Sequence, residues 1–400
     1  MIFLPIHGTS HNPSSDFIHQ AMRTRVIARP NAVAELGREL ARLGCKRPLL
    51  LSGVRTAEGP VWTQVKAALG GLSSVSVQDI RAHSSVATVD RVARLAKAEG
   101  VDALVAVGGG SVSDTAKATA LLLAEGSPLA QHASRFVPRA TVITPDLFKP
   151  KLPILSVAMT ASGAEVTPSF GIRADDGSKL LFWDAQLASR VIFLDPYANL
   201  ATPASIMLST GMNGLAHCIE GLYSKAASPI TSILAVDGLL QFDRALRAVA
   251  VAPQDVNARA ALLLAAHISG MVLASARSCL HHALCHVLGA TTGAAHGELN
   301  SVMLPHALRF NAHFAGPELA IAASRLGLVG AAQQPGDQLL GWLVGLQKSL
   351  GVPTCLRELG IQRDVLAGVA QKTLHERGLA YNPTPVSHSD EIEAILLAAW

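Results

Sequence analysis

One stretch limits the possible folds more than any other: "VAVGGGSVSDTAKA", residues 105–118. An apolar run of strand length enters three glycines and a serine, and a segment with helical spacing leaves them. Glycine lets a backbone approach a ligand closely and adopt φ values closed to other residues. The helix that follows offers free N–H groups and the positive end of its dipole, a ready seat for a pyrophosphate. The string is neither G-x-G-x-x-G nor a P-loop, which would require Gly-Lys-Ser/Thr. A tight turn of small residues would use the same letters. The strand before it and the helix after it favour a dinucleotide phosphate, held by Gly108, Gly109, Gly110 and Ser111.

The same alternation surrounds this stretch. "AVAELGRELARLG" carries apolar residues at helical spacing and closes on Gly44. "RPLLLS" (47–52) and "SVSVQDI" read as strands, and "SVATVDRVARLAKAEG" as an amphipathic helix ending at Gly100. "LPILSVAM" (152–159) and "RVIFLDP" (190–196) add two more strands. Strand, helix, strand in repetition predicts a parallel sheet with helices on both faces. After Pro196 strand signals almost vanish, and Ala/Leu-rich helical segments such as "PASIMLSTGMNGLAHCIEGLYS" and "NARAALLLAAHISGMVLASA" take over. The expectation is an α/β nucleotide-binding domain over 22–196, an all-α domain over 197–400 and a loose polar extension over 1–21. A second small-residue loop, "AMTASGAEVTPSFG" (158–171), follows one of the strands. Ligands in open α/β sheets sit at the carboxyl ends of strands, so Thr160 and Ser162 could line the same cofactor, although a plain turn fits this loop equally well.

Composition narrows the partners. The chain of 400 residues exceeds one compact core, which agrees with two domains. A net charge of +4 with only 16% charged residues argues against nucleic acid or an anionic membrane as the main partner. Five scattered cysteines without a CxxC pair argue against a disulfide framework and for the cytoplasm. The N-terminus lacks the basic and apolar regions of a secretory signal. No apolar run reaches membrane-spanning length without Gly, Pro or charge.

The second conspicuous feature is a set of histidines. "GMNGLAHCIE" puts Asn213 and His217 four apart on one helical face, and "LHHALCHVLG" does the same for His282 and His286, with His281 adjacent. His296 follows ten residues later. Each histidine alone fits a core or cap position. Two i, i+4 pairs on separate helices are also how helical proteins build metal sites. Asn213 weakens the metal reading, because its carbonyl supplies an oxygen but no charge, although three neutral histidines can still hold zinc. Without metal, imidazoles remain suited to proton transfer.

Together, "GGGS" entering "VSDTAK", "TASGAEVT", "DPYANLATP" before "TGMNGLAHCIE", and "LHHALCHVLG" before "AHGELNSVMLPHALRFN" resemble the iron-containing alcohol dehydrogenase family over about residues 22–400. The histidine motif, Asn213 and the ending "YNPTPVS…LLAAW" are similar to its maleylacetate reductase branch. The resemblance implies the dehydroquinate synthase-like fold, NADH or NADPH as hydride donor, a small-molecule substrate in a cleft between domains, and a homodimer. It places Asp114 and Thr167 with the glycine loop and Thr160 around the cofactor. Where relatives bind iron or zinc, the ligands would correspond to Asn213, His217, His282 and His296, with His286 beside the nicotinamide. In the maleylacetate branch a metal is dispensable, and these groups would bind substrate and relay protons, His286 or His282 giving the proton and His217 with Asn213 orienting.

The chain departs from that branch at several points. Trp183 stands where an Arg is usual, although Lys179 is kept, and Ala283 replaces a Lys between the histidines. Ala295-His296-Gly297 and Asn300 look more like the alcohol dehydrogenase form. Loss of two cations would weaken recognition of a dianion, so a less charged or bulkier substrate beside Lys179, Trp183, His281 and His296 is one expectation. The strand "PLLLS" runs into Ser52-Gly53-Val54-Arg55 with no acid for a ribose 2′-OH, which allows NADPH. The first reading is an NAD(P)H-dependent reductase of an activated C=C or C=O. The second is a metal-dependent alcohol dehydrogenase, and the third a homologue that binds nucleotide without redox chemistry.

Overall fold

The computed structural model describes residues 17–137, 141–328 and 334–400, so most of the expected 1–21 extension lies outside the described residues. Among the described residues there are ten strands: β1 (Arg25–Ala28), β2 (Pro48–Ser52), β3 (Val75–Val77), β4 (Ala103–Gly108), β5 (Arg135–Val137), β6 (Thr141–Ile143), β7 (Ile154–Ala158), β8 (Ser169–Arg173), β9 (Lys179–Trp183) and β10 (Val191–Leu194). Six of them form one sheet in the order β1-β10-β7-β4-β2-β3, and every neighbouring pair is parallel. Strands β2, β7 and β10 are buried along their whole length, as continuous apolar runs must be when helices cover both faces.

Three elements lay outside the sequence expectations. β1 is only four residues long and buries only Ile27, yet it pairs with β10 at the sheet edge. The short pair β5–β6 and the hairpin β8–β9 are antiparallel and stand apart from the main sheet. In the hairpin, Phe170 and Phe182 stack with ring centroids 4.7 Å apart and are buried. By strand alternation Lys179, Leu181 and Trp183 lie together on the other face, opposite Arg173, Gly171 and Ser169.

Among the described residues, the named strands end at Leu194. Asp195 then accepts hydrogen bonds from Tyr197 N and Ala198 N, opening the short helix Pro196–Asn199, and from Asn31 N and Val33 N. Long helices follow: Ala204–Tyr223, Pro229–Val251, Val256–Ala276, Leu280–Thr292 and His296–Asn311. The first three share a large apolar core that also takes in residues of β7 and β10. Val256–Ala276 is long and apolar enough to cross a membrane by composition alone, and most of it is packed against this core.

Candidate active site

The glycine loop runs as expected from β4 into the helix Gly110–Glu125, with Gly109 as its N-cap in extended backbone. A Cβ on Gly109 would lie 2.6 Å from Thr160 Cγ2, so the first loop can approach the second only because position 109 lacks a side chain. In the second loop Thr160 and Ser162 hydroxyls are 3.1 Å apart. Gly163 turns through φ +65 and packs so tightly on the helix Val256–Ala276 that a Cβ would meet Ala266 O at 2.5 Å. Lys117, on the glycine-loop helix, braces the same segment by donating to Ala164 O (2.5 Å) and Ser169 O (3.2 Å). Burial pushes its ammonium down to about 8. Of the two further expected cofactor residues, Thr167 accepts from Ser169 N at 3.1 Å, and Asp114 accepts from Gly171 N at 3.3 Å in the hairpin.

The helix Ala204–Tyr223 joins these loops to the histidines. Thr210 Oγ1 accepts from Ala161 N at 3.0 Å, and one turn later Asn213 Nδ2 donates to Ser162 O at 3.3 Å. The other end of the same amide, Asn213 Oδ1, faces His282 Nε2 at 3.2 Å. An aspartate at 213 could not donate to Ser162 O, which gives a physical reason for the amide. His217 stacks on His282 at 4.8 Å, and His286 stacks on His296 at 5.7 Å, with His282 6.1 Å from both members of the second pair. The five expected histidines are therefore one wall, built from three helices. His286 Nδ1 lies 3.4 Å from Glu376 Oε2. Lys179 presses down on both His286 and His296 electrostatically, and strand alternation puts Trp183 on the same hairpin face as Lys179.

Glu220, absent from the sequence expectations, organises this wall. It is fully buried; Oε2 accepts from His282 Nδ1 at 2.6 Å, and Oε1 accepts from His281 N at 2.9 Å. Burial alone would raise this carboxyl, but His282 and the hydrogen bond from it outweigh burial and hold it below the usual range. Its position, three residues after His217 on the same helix, was the available signal. Asn300, Glu376 and Arg377 also reach the wall, Asn300 O accepting from His281 Nε2 at 3.1 Å. Burial is the largest cause that pushes His217, His286 and His296 well below the ordinary histidine range, and takes His281 to about 4. At neutral pH these four rings are uncharged, which makes them ligands and hydrogen-bond partners rather than ready-made acids.

The donor set also fits a divalent metal. With Nδ1–H of His282 given to Glu220, its Nε2 presents a lone pair to Asn213 Oδ1, another acceptor, and two acceptors at 3.2 Å need a positive charge or a proton between them. His217 Nδ1 is buried without a partner. Asn213, His217, His282 and His296 would hold such an ion, which would polarise a substrate carbonyl, and Glu220 supplies through His282 the negative charge that Asn213 lacks. Glu220, His281 and His282 also bring ligand atoms within 4.8 Å of one another.

A parallel sheet with a glycine cradle, joined through Asn213 to a helical wall of histidines, defines a dinucleotide-dependent oxidoreductase. Residues 23–196 match the family described as iron-containing alcohol dehydrogenase, and residues 207–400 match its C-terminal part. The chain belongs to the iron-containing alcohol dehydrogenase family and is an NAD(P)-dependent oxidoreductase. A maleylacetate reductase from Pseudomonas knackmussii is 30% identical over 362 residues, covering 90% of this chain and 92% of that protein. The crystal structure of maleylacetate reductase from a Rhizobium strain superposes with a TM-score of 0.79 at 27% identity, covering 96% and 98% of the two chains. An iron-containing alcohol dehydrogenase from Thermococcus thioreducens gives a TM-score of 0.84 at 27% identity, covering 94% and 98%.

Proposed function

We propose that this enzyme uses NADH or NADPH to reduce an activated double bond, a C=C conjugated to a carbonyl or the carbonyl itself, in a small anionic oxo acid of the maleylacetate type. The observation that carries this reading is Asn213, whose amide ties the Ser162 loop to His282 and so sets a nicotinamide bound at the glycine loops against the histidine wall. Gly108, Gly109, Gly110, Ser111, Thr160 and Ser162 hold the dinucleotide, with Asp114 and Thr167 shaping the neighbouring turns. Hydride adds to the electrophilic carbon, and one proton taken up from solvent is relayed through the imidazoles of His282 and His286 to the carbanion or alkoxide, which consumes NAD(P)H and one proton per turnover. His217, Asn213 and His281 orient the substrate, while Lys179, Trp183 and His296 line it. The glycine loops belong to a nucleotide-binding half (22–196) and the wall to a helical half (197–400) of a cytoplasmic homodimer. Maleylacetate, with related enones and oxo acids, is the test: NADH or NADPH oxidation by any of them is expected, and none with the whole set overturns the reading.

A second reading, a metal-dependent alcohol dehydrogenase, is favoured by the facing acceptors of Asn213 and His282. It predicts stoichiometric iron or zinc in the purified protein and loss of activity with a chelator; a metal-free, active enzyme overturns it.

A further inference from the structure

Three cations gather beside the histidine wall, and among the described residues none has a carboxylate within hydrogen-bond range: Lys179, Arg277 and Arg377. They come from β9, from the end of the helix Val256–Ala276 and from the 3-10 turn Arg377–Ala380. Arg277 holds φ 65 and ψ 175, a backbone region that residues other than glycine seldom occupy, and lays its guanidinium 4.9 Å from the centre of the Trp183 ring. Arg377 is brought beside it because the next residue, Gly378, approaches so closely that a Cβ there would lie 2.6 Å from Cys279 O. Burial, and then the charge of Arg277, push Arg377 down to about 10. Arg377 in turn acts against the protonated forms of Lys179 and His286.

The acids facing the cluster do not neutralise it. Glu376 sits by His286 and is raised by burial, and Asp114 is likewise raised by burial while bonded to Gly171 N. Arg173 and His83 add further positive or polar groups on the side of Lys179. Trp183 Nε1 is a buried donor without a partner. Donors thus outnumber acceptors, and a strained arginine, Arg277, is kept in place against Trp183. Such an arrangement costs folding free energy unless an anion completes it.

We propose that Arg277, braced flat on Trp183, and Arg377 form a clamp for the substrate carboxylate remote from the reacting carbon, while Lys179 meets the nearer carboxylate beside the histidines. This rests on the reductase reading above and deepens it by naming the residues that select a dicarboxylate. Trp183 is then the platform of the clamp, and its presence does not signal a less charged substrate.

The test uses Arg277→Gln, Arg377→Gln and Arg277→Lys in the full-length enzyme, with maleylacetate and its monoester as substrates. Calorimetric binding of 3-oxohexanedioate, the dianion left by C=C reduction, to the enzyme–NAD(P)+ complex is the second readout. Each Gln variant is expected to lose roughly 30-fold in kcat/KM for the dianion and in affinity for 3-oxohexanedioate. The monoester should change by less than about 3-fold, and NAD(P)H binding, followed by fluorescence, should stay intact. Arg277→Lys should recover only part of the loss, because an ammonium neither stacks on indole nor binds a carboxylate through two parallel bonds. Equal losses for both substrates, or dianion binding that survives both Gln changes, overturn the clamp and leave the reductase reading standing. A wild-type enzyme that neither binds 3-oxohexanedioate nor reduces any oxo acid overturns both.

Discussion

Glu220→Gln isolates the residue on which the histidine wall depends. The buried carboxylate accepts two hydrogen bonds, from His282 Nδ1 at 2.6 Å and from His281 N at 2.9 Å. Glutamine keeps the oxygen that serves His281 N but turns an NH2 toward His282, where Nδ1 must now accept. The ring proton moves to Nε2 and points at Asn213 Oδ1, 3.2 Å away. The tautomer of His282 is therefore reversed without a change of shape. One charge-assisted bond is lost, worth about 2 kcal/mol, so kcat/KM should fall roughly 30-fold. Stability should fall less, because the substitution also removes a buried charge. The NAD(P)H dissociation constant should stay within about 2-fold, since Glu220 touches neither glycine loop. Steady-state kinetics, denaturant titration, fluorescence titration and imidazole nitrogen NMR read kcat/KM, stability, cofactor affinity and the His282 tautomer in turn. An E220Q enzyme with wild-type kcat/KM, or one whose His282 nitrogen shifts are unchanged, would mean that Glu220 does not set the His282 tautomer.

Three further outcomes are expected. Gly109→Ala, whose Cβ meets Thr160 Cγ2 at 2.6 Å, should weaken NAD(P)H binding by at least about 10-fold while circular dichroism stays native. Arg55 is exposed in the short helix Val54–Ala57 that follows β2, and Arg55→Glu should shift the kcat/KM preference from NADPH toward NADH; an unchanged ratio would show that Arg55 only faces solvent. Lys117 has a folded pKa of about 8 against 10.5 for the free group. The unfolded chain therefore holds more protons between these values, and the penalty of the buried ammonium is present below pH 8 and relieved as pH rises. The unfolding free energy of the wild type minus that of Lys117→Met should accordingly rise by about 3 kcal/mol from pH 8 to 10.5, as denaturant titration at several pH values would show.

Much of the scaffold was legible because it depends on local pattern. Buried parallel strands must be continuous apolar runs, and helices on a sheet must repeat every three or four residues, so β2, β3, β4, β7 and β10 and the helices between them announced themselves. The edge strand β1 did not, since three of its four residues are exposed. The hairpin β8–β9 had a signal, Asp176-Gly177 between alternating runs, with Gly177 at φ 83. That signal is short and weaker than those of the glycine loops.

The order of elements, the glycine cradle and the histidine spacing can be read along the chain, because they follow from neighbours within one strand or one helical turn. Tertiary structure alone decided what those groups can do. Glu220 and His282 lie 62 positions apart and meet only when two helices pack, and that contact assigns the ring proton of His282. Arg277 and Arg377, a hundred positions apart, come near each other because Gly378 admits the chain against Cys279. Proton position and charge balance depend on distances through space, and no periodicity along the chain encodes them.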